Sequence, residues 1–292
     1  MGEYKPARAP GEGAAVAALL LGATLWGVLW YPLRLLEARG VAGLWSTLLI
    51  YAAALAILAA PAVRALRRGA GGRWGLLMAL AAGWTNVAFV LAVLEGTVMR
   101  VLLLFYLSPV WAVVLARLLL GEPVTRGALA VLALAMAGAG AMLWSPELGM
   151  PWPAGRADWL ALTSGMAFAV TNVAVRRLQA MPLAAKTALS WVGVLAVAAA
   201  MLAVEGAPAP ADPVGIAGAL AVGALLMTVM TLSVQYGVTR LPVGRSAVIL
   251  LFELVAGAVS SYLLAGEALR PAEWAGGGLI VAAAVAAARR GG

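Results

Sequence analysis

The segment VMRVLLLFYLSPVWAVVLARLLLGE begins at Val98, and a second copy of it, VGRSAVILLFELVAGAVSSYLLAGE, begins at Val243. Without a gap the two segments align Arg100 with Arg245, and both end in Gly-Glu. Each is long and apolar enough to be a membrane-spanning helix, which needs about 20 residues. The repetition indicates two copies of one unit. Such duplication is typical of secondary transporters, in which the substrate site lies between the copies.

The composition of the whole chain also indicates a membrane protein. Of 292 residues, 64% are apolar and 11% are charged, and the mean hydropathy is +0.99. Too little polar material is present to cover a soluble protein of this size. Ten apolar runs are predicted to span the membrane as helices, and we number them spans 1 to 10: 13–36, 43–62, 74–94, 98–119, 126–144, 157–178, 184–204, 213–235, 243–264 and 272–289.

The distribution of basic residues predicts the orientation. With ten spans, one side of the membrane has only five of the 20 Lys and Arg residues: Arg34, Arg39, Arg100, Arg156 and Arg270. All the others fall on the side that holds both termini. Because basic residues in short loops collect in the cytoplasm, we expect both termini to be cytoplasmic, in a bacterial inner membrane. This asymmetry accounts for the pI of about 10.6, so no nucleic-acid partner is expected.

An odd number of spans in each copy places the second copy upside down. Span 1 aligns with span 6, with Arg34 on Arg176, and span 3 aligns with span 8, with Gly83 on Gly223. The predicted fold is therefore all-α, with two inverted five-helix repeats. The predicted segments are an N-terminal tail (1–12), the first repeat (13–144), a periplasmic linker rich in Pro and Gly (145–156) and the second repeat (157–289).

Two phrases resemble a known family. SPVWAVVLARLLLGEPVTRGALAVLALAMAGAGAML (Ser108–Leu143) and FELVAGAVSSYLLAGEALRPAEWAGGGLIVAAAV (Phe252–Val285) are similar to the paired motifs of the drug/metabolite transporter superfamily, in its ten-helix EamA-type branch. Within that branch the Trp-rich first span resembles the YddG-type exporters of aromatic and neutral amino acids. The resemblance implies a cavity lined by spans 1, 3, 4, 6, 8 and 9, with spans 5 and 10 as scaffold, and export by alternating access.

One departure from the family concerns span 9. The second motif often reads Glu-Pro, whereas here Leu254 follows Glu253. Proline is the residue that most often kinks a helix, so the sequence gives no support for a kink at this point.

Polar and aromatic residues inside the spans are the candidates for substrate binding. Several recur at helical spacing, so that they share one face. The predicted set is Trp26, Trp30, Trp84, Asn86, Ser164, Phe168, Asn172, Thr228, Thr231 and Gln235. Other roles stay open for each type: hydroxyls bond to their own helix, Asn joins neighbouring helices, and Trp anchors helices at the membrane interface.

Glu253 is an acid near the centre of span 9, where a charge generally faces water, a partner or a function. It is predicted to bind a substrate ammonium, to carry a coupled proton, or to accept helix–helix hydrogen bonds. Arg100 and Arg245 open the two aligned spans from opposite faces. They are predicted to form a symmetric pair of gates, unless they only flank the spans at the lipid headgroups.

The residues that are absent narrow the function. The chain has no Cys and no His, so thiol, imidazole and zinc chemistry are excluded and no enzyme, metal or cofactor is expected. No phosphate-binding loop is present, which excludes ATP as a driving force. We therefore expect a secondary exporter of small neutral or aromatic amino acids. The alternatives are efflux of lipophilic cations, a channel and a non-transporting scaffold. The expected partners are a small-molecule substrate and membrane lipid, and the expected state is a monomer or weak dimer.

Overall fold

The computed structural model describes residues 11–41, 43–68, 71–146, 152–266 and 268–289. Most of the predicted N-terminal tail, residues 147–151 of the predicted linker, and Glu267 lie outside these ranges. The described residues contain helices and no strands. The helices are α1 (Glu12–Val28), α2 (Trp30–Glu37), α3 (Gly43–Ile57), α4 (Ala59–Arg67), α5 (Gly72–Glu95), α6 (Val98–Phe105), α7 (Ser108–Leu120), α8 (Arg126–Leu143), α9 (Arg156–Arg177), α10 (Leu183–Glu205), α11 (Pro213–Ala221), α12 (Thr228–Arg240), α13 (Val243–Leu250), α14 (Phe252–Ala265) and α15 (Pro271–Arg289).

These helices form the ten predicted spans. In the described ranges, nine helical segments are long and apolar enough to cross a membrane, and Gly43–Ile57 is a shorter apolar helix. Spans 3, 5, 6, 7 and 10 are single helices, whereas spans 1, 2, 4 and 9 each contain two. In span 8 a π-helical segment, Val222–Met227, joins α11 to α12. The all-α, ten-helix membrane fold is confirmed.

The packing follows the duplicated sequence. Span 3 packs on spans 6 and 7, and span 8 packs on spans 1 and 2. Span 4 packs on span 6, and span 9 packs on span 1. Spans 5 and 10 pack on each other. Exchanging each span for its counterpart five places along the chain reproduces these main contacts, as an internal two-fold relationship requires.

Two aligned glycines show this relationship at atomic detail. A Cβ atom on Gly83 would lie 2.5 Å from the carbonyl oxygen of Gly193 in span 7, and one on Gly223 would lie 2.0 Å from that of Ile50 in span 2. No side chain fits at such distances, so only glycine allows these backbones to approach. The same close contact between the two copies therefore occurs twice.

The two ends of the bundle differ in charge. We call the end that carries the start of span 1 and the 2–3, 4–5, 6–7 and 8–9 connections the basic end.

At the opposite end, Asp212 caps α11 by accepting from the backbone N–H groups of Val214 (3.1 Å) and Gly215 (3.2 Å). The Val214 bond is the main cause that holds the Asp212 pKa below its usual value, and Arg39, 3.4 Å away, acts in the same direction.

Candidate functional site

Spans 4 and 9 are both broken at the same aligned position. Span 4 is interrupted after Phe105, at Tyr106 and Leu107, and span 9 is interrupted at Leu251. Tyr106 and Leu251 are 145 residues apart, the spacing of the two repeated segments. The backbone tightens at both points, since Leu107 N–H bonds to the third carbonyl back at 3.3 Å and Leu251 N–H does so at 3.2 Å.

Proline accounts for only one of these breaks. Pro109 lies in the first turn of α7, where its missing N–H and fixed φ favour a helix start. Span 9 has Leu254 at the aligned position and is broken nevertheless. The break in span 9 therefore does not depend on the Glu-Pro pair of the family motif, and the sequence provided no sign of it.

Close backbone contacts hold both broken segments. A Cβ atom on Gly165 in span 6 would lie 2.5 Å from the Phe105 carbonyl oxygen, and one on Gly27 in span 1 would lie 2.5 Å from the Glu253 carbonyl oxygen. Each break is thus pressed against a glycine of the first span of the opposite copy. This contact fixes the broken segments near the middle of the bundle.

A small cavity lies where the two breaks meet. Its lining includes three aligned pairs, each 145 residues apart: Phe105 and Leu250, Tyr106 and Leu251, and Ser108 and Glu253. A cavity that is lined by both members of each of these pairs lies between the two copies, close to the internal two-fold axis. Its free volume is about 10 Å³, which is space for about one water molecule.

The cavity contains one acid and one amide. The Tyr106 hydroxyl donates to Glu253 Oε1, a bond that joins span 4 to span 9. Asn172 of span 6 is 4% exposed, and its Nδ2 group has no partner among the described residues. A buried amide without a partner costs about 1–3 kcal/mol, so Asn172 is a donor available to a ligand. No basic side chain is among the described residues that line the cavity.

Aromatic rings form the apolar wall of the cavity. The ring of Phe105 lies 5.8 Å from that of Phe168 and 5.3 Å from that of Tyr106, measured between centroids. Phe89 extends this cluster, 5.0 Å from Phe105. The cluster places flat apolar surfaces beside the polar groups of Glu253 and Asn172.

Of the predicted binding residues, Phe168 and Asn172 line this cavity, together with Glu253. The predicted hydroxyl groups bond elsewhere. Ser164, fully buried, donates to the Thr85 carbonyl at 2.7 Å, which joins spans 6 and 3. Thr228 donates to the Gly223 carbonyl at 3.1 Å, and Thr231 donates to Met227 Sδ at 3.4 Å.

The two other predicted amides lie in other parts of the bundle. Asn86 accepts from the Tyr51 hydroxyl at 2.5 Å and donates to the Ala82 carbonyl at 2.9 Å. Gln235 donates to Ser190 Oγ at 3.3 Å, and its Oε1 atom has no partner among the described residues. Asn86 therefore has partners for both ends of its amide, whereas Asn172 and Gln235 do not.

The three predicted tryptophans are not in the cavity lining. Trp30 Nε1 donates to Ser260 Oγ at 2.9 Å, between spans 1 and 9. Trp26 packs against the buried cluster around Leu29 and Met230. Trp84 is 37% exposed, and its Nε1 donates to Thr163 at 3.2 Å. Their predicted contact with substrate stays a prediction.

Arg100 and Arg245 form equivalent ion pairs at opposite ends. Arg100 Nε lies 2.9 Å from Asp158 Oδ1 at the start of span 6, and Arg245 pairs with Glu12 at the start of span 1. Each pair therefore joins a broken span to the first span of the opposite copy. The two ion pairs occupy equivalent positions at opposite ends of the bundle, and the gating role of the two arginines remains a prediction.

Tyr106, Phe105 and Ser108 were missed by the sequence analysis. They align with Leu251, Leu250 and Glu253. Only Ser108 could have been found from the sequence, because it aligns with the unusual acid Glu253. The described residues contain no group of three or more acidic residues that could hold a metal ion.

Comparisons with known proteins agree with this architecture. Residues 155–289, somewhat less than half of the chain, match the EamA-like transporter family. No curated protein matches the sequence. A solved crystal structure of another protein matches with a TM-score of 0.73 at 21% identity, covering 95% of this chain and 99% of that chain. At this identity the likeness concerns the fold alone. Together, the apolar helices and this match indicate a multi-pass membrane protein whose second half is similar to EamA-like transporters.

Proposed function

We propose that this chain, which matches the EamA-like transporter family over residues 155–289, exports small neutral or aromatic amino acids and related metabolites by alternating access. The observation that carries the proposal is the cavity close to the internal two-fold axis, lined by three aligned pairs from spans 4 and 9. Transporters built from inverted repeats bind substrate at such an interface, between broken helices.

The groups in the cavity suit a zwitterion with an apolar side chain. Glu253 provides a negative charge for an ammonium group. Residues in the first turns of α7 and α14 line the cavity, and the positive ends of these helix dipoles favour a carboxylate. The ring of Phe168 provides apolar surface, and Asn172 provides an N–H donor without a partner. Because no Lys or Arg lines the cavity among the described residues, phosphorylated substrates are disfavoured.

The size of the cavity supports alternating access over a channel. A space of about 10 Å³ is far too small for an amino acid. Spans 4 and 9 must therefore separate before a substrate enters, and the bond between Tyr106 and Glu253 must break. In this proposal the bond holds the empty site closed, and a substrate ammonium replaces the tyrosine as the partner of Glu253.

Efflux of lipophilic cations is the second candidate, because the same acid beside aromatic rings would also bind a cation. Counterflow of labelled amino acids and lipophilic cations into proteoliposomes, with and without a pH gradient, distinguishes the two. The proposal expects saturable counterflow of neutral amino acids. Selective cation flux would favour multidrug efflux, and unsaturable flux of all compounds would indicate a channel.

Variants at the cavity test the site. Asn172→Ala removes one hydrogen bond to substrate, worth about 1.4 kcal/mol, and is expected to raise KM about tenfold. The matched control is Thr171→Ala, on the same helix, where the hydroxyl bonds to its own Ala167 carbonyl at 3.0 Å. Equal KM values for the two variants would contradict this site. A pH profile that is unchanged in Glu253→Gln would exclude proton coupling through this acid.

A further inference from the structure

A second cavity, of about 480 Å³, lies at the basic end and shares no residue with the one between spans 4 and 9. It is formed by the end of α9, the connection to α10, the start of α10 and the end of α12. Three cationic side chains line it, those of Arg176, Lys186 and Arg240, together with the polar groups of Gln179 and Thr239.

The charge in this cavity is not balanced. No acidic residue is in its described lining. Glu122, outside the lining, pairs with Arg176 at 3.4 Å. Neither Lys186 nor Arg240 forms an ion pair with any described acidic residue. A net positive charge therefore surrounds a space that is large enough for a small anion.

Helix dipoles explain the two arginines but not the lysine. Arg176 is in the last turn of α9 and Arg240 is in the last turn of α12, where positive charge compensates the negative end of the helix. Lys186 is in the first turns of α10, which begins at Leu183. There the helix dipole is positive and opposes a cation.

Burial makes the position of Lys186 more costly. The residue is 0% exposed, and its Nζ atom bonds only to neutral groups, Thr239 Oγ1 at 2.5 Å and the Val175 carbonyl at 3.4 Å. A buried charge without an opposite charge costs several kcal/mol. Two neighbouring arginines raise that cost, so a bound anion would relieve both the burial and the repulsion.

We propose that this cavity binds a phosphate-bearing anion, held by Arg176 and Arg240 and attracted by the buried charge of Lys186 behind them. Phosphate is the anion that best suits this group of cations, because its oxygens accept paired hydrogen bonds from guanidinium groups and its charge balances that of a lysine. Stacking on Tyr236 at 3.6 Å positions the Arg240 guanidinium, and a bond to the Thr239 carbonyl at 2.7 Å positions that of Arg176. Basic pockets between membrane helices at the cytoplasmic side bind lipid phosphates. A lipid headgroup and free phosphate share this chemistry.

The test is thermal unfolding of the full-length protein, followed by tryptophan fluorescence. Two series are measured: inorganic phosphate added in detergent, and vesicles of phosphatidylcholine with and without phosphatidylglycerol. The proposal expects a saturable rise in Tm in at least one series. A rise with phosphatidylglycerol alone identifies the lipid headgroup, and a rise with free phosphate identifies a soluble anion. No rise in either series overturns the proposal.

Variants link the effect to this cavity. Arg240→Gln is expected to weaken anion binding at least tenfold, whereas Arg73→Gln is expected to leave it unchanged. Arg73 is an exposed arginine at the same end, outside the cavity, so it controls for general charge. Equal weakening by both variants would overturn the proposal.

Lys186→Met separates ligand binding from a structural role. It is expected to abolish the anion effect and to leave the ligand-free Tm unchanged or higher, because the uncompensated charge is removed. A lower ligand-free Tm with an intact anion effect would show that Lys186 only joins helices. If this variant fails to fold, the comparison of Arg240→Gln with Arg73→Gln still decides. The proposal does not depend on the transported substrate, since binding is measured without transport.

Discussion

Gly193→Ala tests the closest helix contact in the bundle, between spans 7 and 3. A Cβ atom on Gly193 would lie 1.9 Å from the Ala79 carbonyl oxygen, whereas real Cβ atoms essentially never come within 3.0 Å of another atom. The two helices must therefore move apart by about 1 Å at this point. The obstacle is backbone, which cannot rotate away as a side chain would.

The expected loss follows from two opposing effects. Overpacking a tight interior contact costs about 1–3 kcal/mol, and the upper part of that range applies because both helices must shift. Replacing glycine by alanine within a helix returns up to about 1 kcal/mol. We therefore expect a net loss of about 1–2 kcal/mol in the free energy of unfolding.

Unfolding in mixed micelles, followed by tryptophan fluorescence, measures this loss. Of the eleven tryptophans, Trp191 is 1% exposed and lies two residues before Gly193, so the signal includes a buried probe near the contact. The control is Gly140→Ala, in α8, where no atom lies within 4 Å of the new Cβ. This control should be as stable as wild type or more stable. If both variants had the same stability, the close contact between spans 3 and 7 would be wrong.

Three further perturbations have defined outcomes. Ser164→Ala should cost about 1 kcal/mol of unfolding free energy, because the Thr85 carbonyl loses its inter-helix donor; an unchanged unfolding midpoint would contradict the bond. Arg100→Gln should destabilise the wild-type protein more than it destabilises the Asp158→Asn variant, in which the ion pair is already lost. A double-mutant cycle that shows no coupling between Arg100 and Asp158 would contradict the ion pair. The lowered pKa of Asp212 stabilises the fold above the ordinary carboxyl pKa, and this contribution disappears as pH falls through the lowered value. Asp212→Asn should remove that pH dependence, which unfolding curves between pH 5 and pH 2 would detect.

The sequence predicted the spans and their inverted arrangement, because both depend on patterns that run along one chain. Hydrophobic length fixes the spans, and the aligned Gly83 and Gly223 make the equivalent contacts that the repeat requires. The site was predicted less completely. Helical spacing identifies a polar face but not the partner of each polar group, so the sequence did not distinguish Ser164 from Asn172. Ser164 has a backbone partner in span 3, whereas Asn172 Nδ2 has none among the described residues.

The break in span 9 shows a different limit. Nothing in the sequence around Leu251 predicts it, because the usual cause of a kink, a proline, is present only in the first copy. In the fold, Gly27 brings span 1 against the Glu253 carbonyl beside the break, a contact between distant segments of the chain. A feature that depends on a neighbour from the other end of the chain leaves no local pattern.

The differences between the two copies explain why the site is polar on one side of the axis. The alignment of span 1 with span 6 places Trp26 on Phe168 and Trp30 on Asn172. In span 1, Trp30 Nε1 is hydrogen-bonded to Ser260 of span 9, whereas Asn172 Nδ2 in span 6 has no partner in the described part of the chain. Likewise Glu253 stands opposite Ser108, so the acid belongs to one copy only.

An asymmetric ligand requires such divergence. Two identical copies would present two acids and two amides across the axis, which suits a symmetric ligand. One acid, one amide donor and a cluster of rings instead define a single orientation for a molecule with an ammonium group and an apolar side chain. Restoring the symmetry therefore provides a strict test. Ser108→Glu should place a second acid in the same cavity and impair counterflow of neutral amino acids. Ser108→Ala should preserve that counterflow. Equal counterflow by the two variants would mean that substrate does not pass through this cavity.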